Sequence, residues 1–142
     1  MRTFLPVRLG DLWLALGAAE VQEVLGARPW LPIPGASGGV PGVLSWRGRA
    51  IAVVDLGVVT GAAAPLRPDE TRPRIVVLRL GTTTLALPVE GVREVIEVPA
   101  EAVRPSHVTR PRCSTTEVEL AGTVAAIVDA AALLAAVAPA AS

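Results

Sequence analysis

The feature that most constrains this chain is that it repeats itself. Arg8-Leu9-Gly10, Leu14-Ala15-Leu16 and then Val21, Glu23 and Val24 return as Arg79-Leu80-Gly81, Leu85-Ala86-Leu87 and then Val92, Glu94 and Val95. The offset is 71 residues from Arg8 to Arg79 and again 71 from Val24 to Val95, with nine identities where ordinary residue frequencies give about one. A second stretch, Gly48-Arg49-Ala50-Ile51-Ala52-Val53-Val54-Asp55, is echoed 74 residues later by Gly122-Thr123-Val124-Ala125-Ala126-Ile127-Val128-Asp129. A duplication of this kind demands a fold in which two similar units stand side by side.

Each unit reads as two hairpins. Thr3 to Leu9 and Leu12 to Leu16 are runs of strand formers around Gly10-Asp11, a pair that tolerates positive φ, and Arg74 to Leu80 with Thr83 to Val89 repeats the design around Gly81-Thr82. Val43 to Trp46 and Ala50 to Val54 flank Arg47-Gly48-Arg49, and Val118 to Leu120 with Val124 to Val128 flank Ala121-Gly122. Between them, Ala18 to Leu25 places Val21, Val24 and Leu25 on one helical face with Gly26 as a C-cap, which predicts a helix of a turn or two. Pro29, Pro32, Pro34, Gly35, Gly38, Gly39, Pro41 and Gly42 predict a loop without regular structure, and residues 61–73 a linker between the units. Short, evenly spaced antiparallel strands predict a mainly β protein of two small barrels. They span about residues 3–56 and 74–130 of one 142-residue domain, sharing a core because neither is large enough alone.

Composition removes several classes of function. Thirteen basic and thirteen acidic residues cancel, so nothing draws the chain to a polyanion. One cysteine, Cys113, and one histidine, His107, supply neither a disulfide nor a structural zinc site, and a reducing cytoplasm fits. The apolar stretch Leu120 to Ala138 approaches a spanning length, but Gly122 marks a turn and Asp129 would cost roughly 3 kcal/mol at the centre of a bilayer. Strand, N-cap at Asp129 and short helix are the simpler reading. Arg2, Arg8 and Leu12 to Leu16 mimic a secretory signal, yet the same segment recurs mid-chain and so belongs to the fold.

Catalytic chemistry is sparse. Gly35 to Gly39 lacks the Lys of a phosphate loop. Ser106-His107 reads as a solvated loop pair, and Cys113 as a bystander thiol whose pKa Arg110 and Arg112 would lower. Glu90, Glu94, Glu97 and Glu101 read as a solvated strand face. Arg104, Arg110 and Arg112 make a basic loop without aromatics to stack on bases, so nucleic-acid binding is a remote alternative. Trp13 and Trp30 read as packing residues.

The order of segments resembles the CheW-like family. The resemblance rests on Val21-Gln22-Glu23-Val24, the Pro-rich loop ending Pro41-Gly42-Val43-Leu44, and Arg47-Gly48 followed by Ile51-Ala52-Val53-Val54-Asp55-Leu56. Then come Arg74 to Leu80, Leu85 to Val89, Val92 to Val95 and Val103-Arg104-Pro105. It implies two intertwined five-stranded SH3-like barrels, which the duplication suggests independently. It also implies a non-catalytic adaptor without cofactors. Such a protein couples the cytoplasmic hairpin tip of a chemoreceptor to the regulatory domain of a CheA-type histidine kinase, in the cytoplasm at receptor arrays, without inserting into the membrane.

The family's receptor-binding groove maps here onto Val21, Glu23, Gly42, Arg47 and Gly48, with Trp46 alongside as core packing or interface hot spot; Glu23 and Arg47 are expected to pair and so orient the guanidinium. Trp46 stands where the family has an aliphatic residue, Ser45 where Asn is common and Glu90 where Asp is usual. The Pro105 to Glu119 segment is short. An accessory or sorting module that binds receptor but not kinase is therefore the alternative, and no residue is assigned to the kinase.

Overall fold

The computed structural model describes residues 1–34, 39–67, 70–106 and 111–141, with side chains as far as residue 137. Gly35 and Gly38 of the Pro/Gly loop, His107 and Arg110 lie outside the described residues. The strands, in chain order, are β1 (Arg2–Leu9), β2 (Leu12–Gly17), β3 (Val21–Gly26), β4 (Leu31–Pro32), β5 (Gly42–Trp46) and β6 (Arg49–Val53). The helix α1 (Leu56–Thr60) follows, then β7 (Arg74–Leu80), β8 (Thr83–Val89), β9 (Gly91–Val92) and β10 (Ile96–Val98). The chain closes with β11 (Arg104–Pro105), β12 (Thr116–Leu120), β13 (Thr123–Ile127) and the helix α2 (Ala130–Ala141).

Two sheets result, and each borrows a hairpin from the other half of the chain. One runs β10-β1-β2-β13-β12-β11 with β9 also on β1; the other runs β3-β7-β8-β6-β5-β4. Five principal strands make up each, joined by the two-residue strands β9 and β11 in the first sheet and β4 in the second, the two SH3-like barrels of a mainly β fold. The crossing strands obey the duplication. β6 pairs in parallel with β8 through Ala52↔Leu85 and Val53↔Ala86, and β13 with β2 through Ala126↔Leu14 and Ile127↔Ala15, so the same repeated positions make the same contact twice.

Burial explains why the exchanged hairpins are apolar almost without interruption. Along β7, Ile75 and Val77 face the interior of one barrel while Val76 and Leu78 face a central core, because successive strand residues point to opposite sides. On β1 the alternation is the same: Phe4 fills the other barrel, and Leu5 and Val7 enter the central core. Leu14, Leu16, Leu85 and Leu87 complete that shared core, with Leu133 and Val137 of α2 sealing it. Each such side chain contributes about 1.5–3 kcal/mol when removed from water.

Turn chemistry follows the residues. Gly10 and Gly81 alone take positive φ, of 58° and 65°, at the tips of β1–β2 and β7–β8. The other two hairpins put positive φ on both central residues, Arg47 (48°) with Gly48 (74°) and Ala121 (50°) with Gly122 (82°), the geometry of a type I′ turn. Asp55 and Asp129, equivalent in the repeat, both cap helices: Asp55 Oδ1 accepts from the Val58 amide at 3.2 Å and Asp129 Oδ1 from the Ala132 amide at 3.0 Å.

Three expectations are corrected. Residues 18–25 form a 3-10 turn over Ala18–Glu20 and then β3, not a helix; Val24↔Val76 and Leu25↔Ile75 pair across strands, leaving Val24 exposed and Gly26 a strand end. Sheet pairing of β-branched residues overrides a weak helical period. The Pro/Gly loop contains a strand, β4, in which Pro32 is tolerated because it lies on a sheet edge. The linker, which begins at the C-cap of α1, is partly built in, since Leu66 is buried in a barrel core while its amide donates to Asp55 Oδ2 at 2.6 Å. Within 120–138, the turn, β13 and α2 lie as expected, and no helix among the described residues is long and apolar enough to cross a membrane.

Candidate functional site

Arg47 stands at the tip of the β5–β6 hairpin in the left-handed region, a conformation that costs an L-residue roughly 1–2 kcal/mol and that Gly48 beside it takes freely. The turn therefore projects the arginine outward, and its side chain is 68% exposed. It is not loose. Arg47 Nη2 donates to Glu23 Oε1 at 3.2 Å, and the guanidinium lies over the Trp46 indole, 4.7 Å from the ring centroid.

Glu23 is the joint of this cluster. Its Oε1 also accepts from Trp46 Nε1 at 3.1 Å, so one carboxylate oxygen holds both the indole and the guanidinium. β3 carries a bulge between Val21 and Glu23, which shifts the register against β7 and re-aims the strand at this point. Trp46 is only 9% exposed, and its ring belongs to the barrel core with Leu44, Ile51 and Val77, so it serves as packing with a polar tip rather than as a free surface. The geometry leaves most of the five guanidinium donors of Arg47 facing solvent in a set orientation.

Not every residue mapped from the family joins this cluster. Val21 is half-buried against the central core. Gly42 lies at the far end of β5, buried beneath Trp30; a Cβ there would collide with the Leu31 carbonyl oxygen and the Trp30 ring. Its missing side chain is required by a contact inside the protein. Trp30 and Trp13 both pack, the second half-buried against the core of its own barrel and beneath Arg93, whose guanidinium is 4.0 Å from the ring centroid.

An open cleft of about 320 Å³ adjoins Arg47 and escaped the sequence reading. Besides Trp46 and Arg47, its lining consists of Gln22, Arg49, Arg79, Thr82 and Thr84. Strand register would have found it, because Arg49 pairs with Trp46 and Arg79 with Thr84, while the parallel β6–β8 contact joins the two hairpins.

Other candidate groups are absorbed structurally. Burial pushes the Cys113 thiol up, Asp129 adds to that, and Arg112 opposes without prevailing, so the expected lowering is reversed. Arg112 instead spends its Nη2 on the Val58 carbonyl at 3.0 Å, and Arg104 pairs with Glu117 across strands at 2.9 Å, so these arginines do not form one basic loop. Glu90 accepts from the Gly10 amide and pairs with Arg8 at 3.8 Å. No cluster among the described residues groups three potential metal ligands.

Two barrels that interchange hairpins around a shared core define a class, the SH3-like double-barrel proteins. Within that class the model of the CheW-like domain matches residues 3–138, and the chain belongs to that family. It is 28% identical over 105 residues to the chemotaxis protein CheW of Rhizobium meliloti (strain 1021), and 24% identical over 107 residues to a probable chemotaxis protein CheW of Rhizobium etli. Each alignment covers 74% of this chain and 66% of the relative, so the match extends over just under two thirds of those proteins. The scaffolding protein TtCheW of Thermoanaerobacter tengcongensis has the same fold: TM-score 0.75, 21% identity, 89% of this chain and 88% of that one covered.

Proposed function

We propose that this protein is a non-catalytic adaptor of a chemosensory array, working in the cytoplasm and joining the helical hairpin tip of a chemoreceptor to the regulatory domain of a CheA-type histidine kinase. The observation that carries the reading is the family match over residues 3–138, within which the exposed Arg47 is held in a set orientation by Glu23 and Trp46. Receptor contact centres on Arg47, with Glu23 and Trp46 positioning it and Gly48 permitting close approach of a partner backbone. Val21 borders this face from β3, while Gly42, at the far end of β5, shapes its own strand. No side chain is asked to react; affinity comes from a preorganised donor array that does not have to be ordered on binding.

The test has two arms. Binding of a chemoreceptor cytoplasmic hairpin fragment is compared for the wild type and Arg47→Ala, alongside thermal melting, and kinase activation is measured in an array reconstituted with receptor, kinase and this protein. The adaptor reading predicts weakened receptor binding by a variant that still melts normally, and kinase activation that depends on the wild-type protein. Unchanged binding by Arg47→Ala removes Arg47 from the site. Receptor binding without kinase activation replaces the adaptor by the sorting module.

A further inference from the structure

The duplication supplies an internal control for the cleft beside Arg47. The positions equivalent to Gln22, Arg49, Arg79, Thr82 and Thr84 in the other barrel are Arg93, Thr123, Arg8, Asp11 and Trp13. There the site is filled and neutralised: the Arg93 guanidinium lies over the Trp13 ring, 4.0 Å from its centroid, its Nη1 donates to Thr123 Oγ1 at 3.3 Å, and Arg8 pairs with Glu90 at 3.8 Å. Around Arg47 the same framework is open. Arg49 Nη2 donates to Thr84 Oγ1 at 3.3 Å and Arg79 Nε to the Gly81 carbonyl at 3.0 Å, yet neither has an ion-pair partner among the described residues. Three arginines thus line one cleft with no carboxylate in its lining; Glu23, at its rim, is engaged by Arg47 and Trp46.

We propose that this cleft is the seat of carboxylate side chains on an acidic helical segment of the protein partner, gripped by Arg49 and Arg79 together with Arg47. The inference rests on the receptor-facing reading of the Arg47 turn and adds the chemistry of what docks there. Arginine forks match carboxylates bidentately, and Thr82 and Thr84 supply hydroxyls at the cleft wall. A nucleic-acid strand fits less well, since the chain has no net charge and the Glu23 carboxylate borders the path of a polyphosphate.

The experiment measures binding of a labelled chemoreceptor hairpin fragment at low and moderate salt. The double variant Arg49→Gln/Arg79→Gln is expected to bind about tenfold more weakly with a shallower salt dependence. Arg49→Lys/Arg79→Lys should recover most of the affinity, and Arg93→Gln, in the filled copy, should leave it unchanged. A second arm follows the Thr82 and Thr84 amide resonances of the wild type during titration with poly-L-glutamate, inorganic phosphate or a short DNA duplex, and expects shifts with the polyglutamate. Wild-type affinity in the double Gln variant, or shifts with phosphate or DNA but not with polyglutamate, overturns the proposal. Should the hairpin fragment bind none of these proteins, the receptor reading fails by itself and the polyglutamate arm decides the cleft.

Discussion

A single carboxylate oxygen of Glu23 receives the Arg47 guanidinium at 3.2 Å and the Trp46 indole N–H at 3.1 Å, across separations of 24 and 23 residues in the chain. Glu23 is 39% and Arg47 68% exposed, so the ion pair itself is worth only about 0–1 kcal/mol to the fold. Its role is orientation. Glu23→Gln keeps an acceptor for Trp46 but loses the charge, and should shift the melting midpoint by only a few degrees while weakening receptor binding. Calorimetry and binding on the same sample check this, and a large loss of stability with unaltered binding would contradict it.

The two type I′ turns hold non-glycine residues at their first central positions. Asn relieves the left-handed strain at either, so Ala121→Asn should stabilise by up to about 1 kcal/mol. Arg47→Asn also loses the Glu23 pair and the indole stack, and should gain less. Denaturant melts of the two variants give the order, and equal gains would show that the Glu23 and Trp46 contacts contribute nothing.

Gly42→Ala should be severely destabilising, by about 3 kcal/mol, because the new methyl group meets the Leu31 carbonyl and the Trp30 ring inside the barrel. Any loss of receptor binding in this variant should come with a loss of stability and altered tryptophan fluorescence. Lost binding with an intact melt would move Gly42 to the surface contact itself.

The equivalent aspartates should differ in weight. Asp55 is buried and holds two amides, those of Val58 and Leu66, whereas the exposed Asp129 holds, among the described residues, the Ala132 amide alone through its side chain. Asp55→Ala should cost about 2–3 kcal/mol and loosen the linker, and Asp129→Ala about 1 kcal/mol. Hydrogen exchange at the Leu66 amide distinguishes the two, since only the first substitution should expose it.

Glu20 has a carboxyl pKa raised above its ordinary value of 4.5, first by burial and then by the Asp129 charge. The unfolded chain releases this proton before the folded one does as the pH rises, so the penalty on the fold is full above the raised folded pKa, shrinks as the pH falls through it and is gone below the ordinary value of 4.5. Glu20→Gln should therefore raise the melting temperature at pH 7 and flatten its pH dependence just above pH 4.5. A melting curve that responds to pH as the wild type does would rule this out.

Several elements were legible because their signals are local. The hairpin tips at Gly10, Gly81 and Gly122, and the cap at Asp129, need only a few neighbouring residues to be recognised. The helix α1 was equally available, since Asp55 repeats Asp129, but its five residues are too few for a periodic signal. β3 is ambiguous in the sequence because Val21, Val24 and Leu25 fit a helical face as well as a strand, and only the partner β7 decides between them.

By itself the sequence determined that two copies of a hairpin pair exist and where their turns fall, because repetition and turn chemistry are written residue by residue, whereas Glu23 and Arg47 stood out only through the family resemblance. Which hairpin enters which barrel, that Gly42 is spoken for by Trp30, and that Arg49 and Arg79 gather beside Arg47 were decided only in three dimensions. Those relationships depend on strands far apart in the chain coming into register, and the free energy that selects the register belongs to the shared core as a whole rather than to any segment.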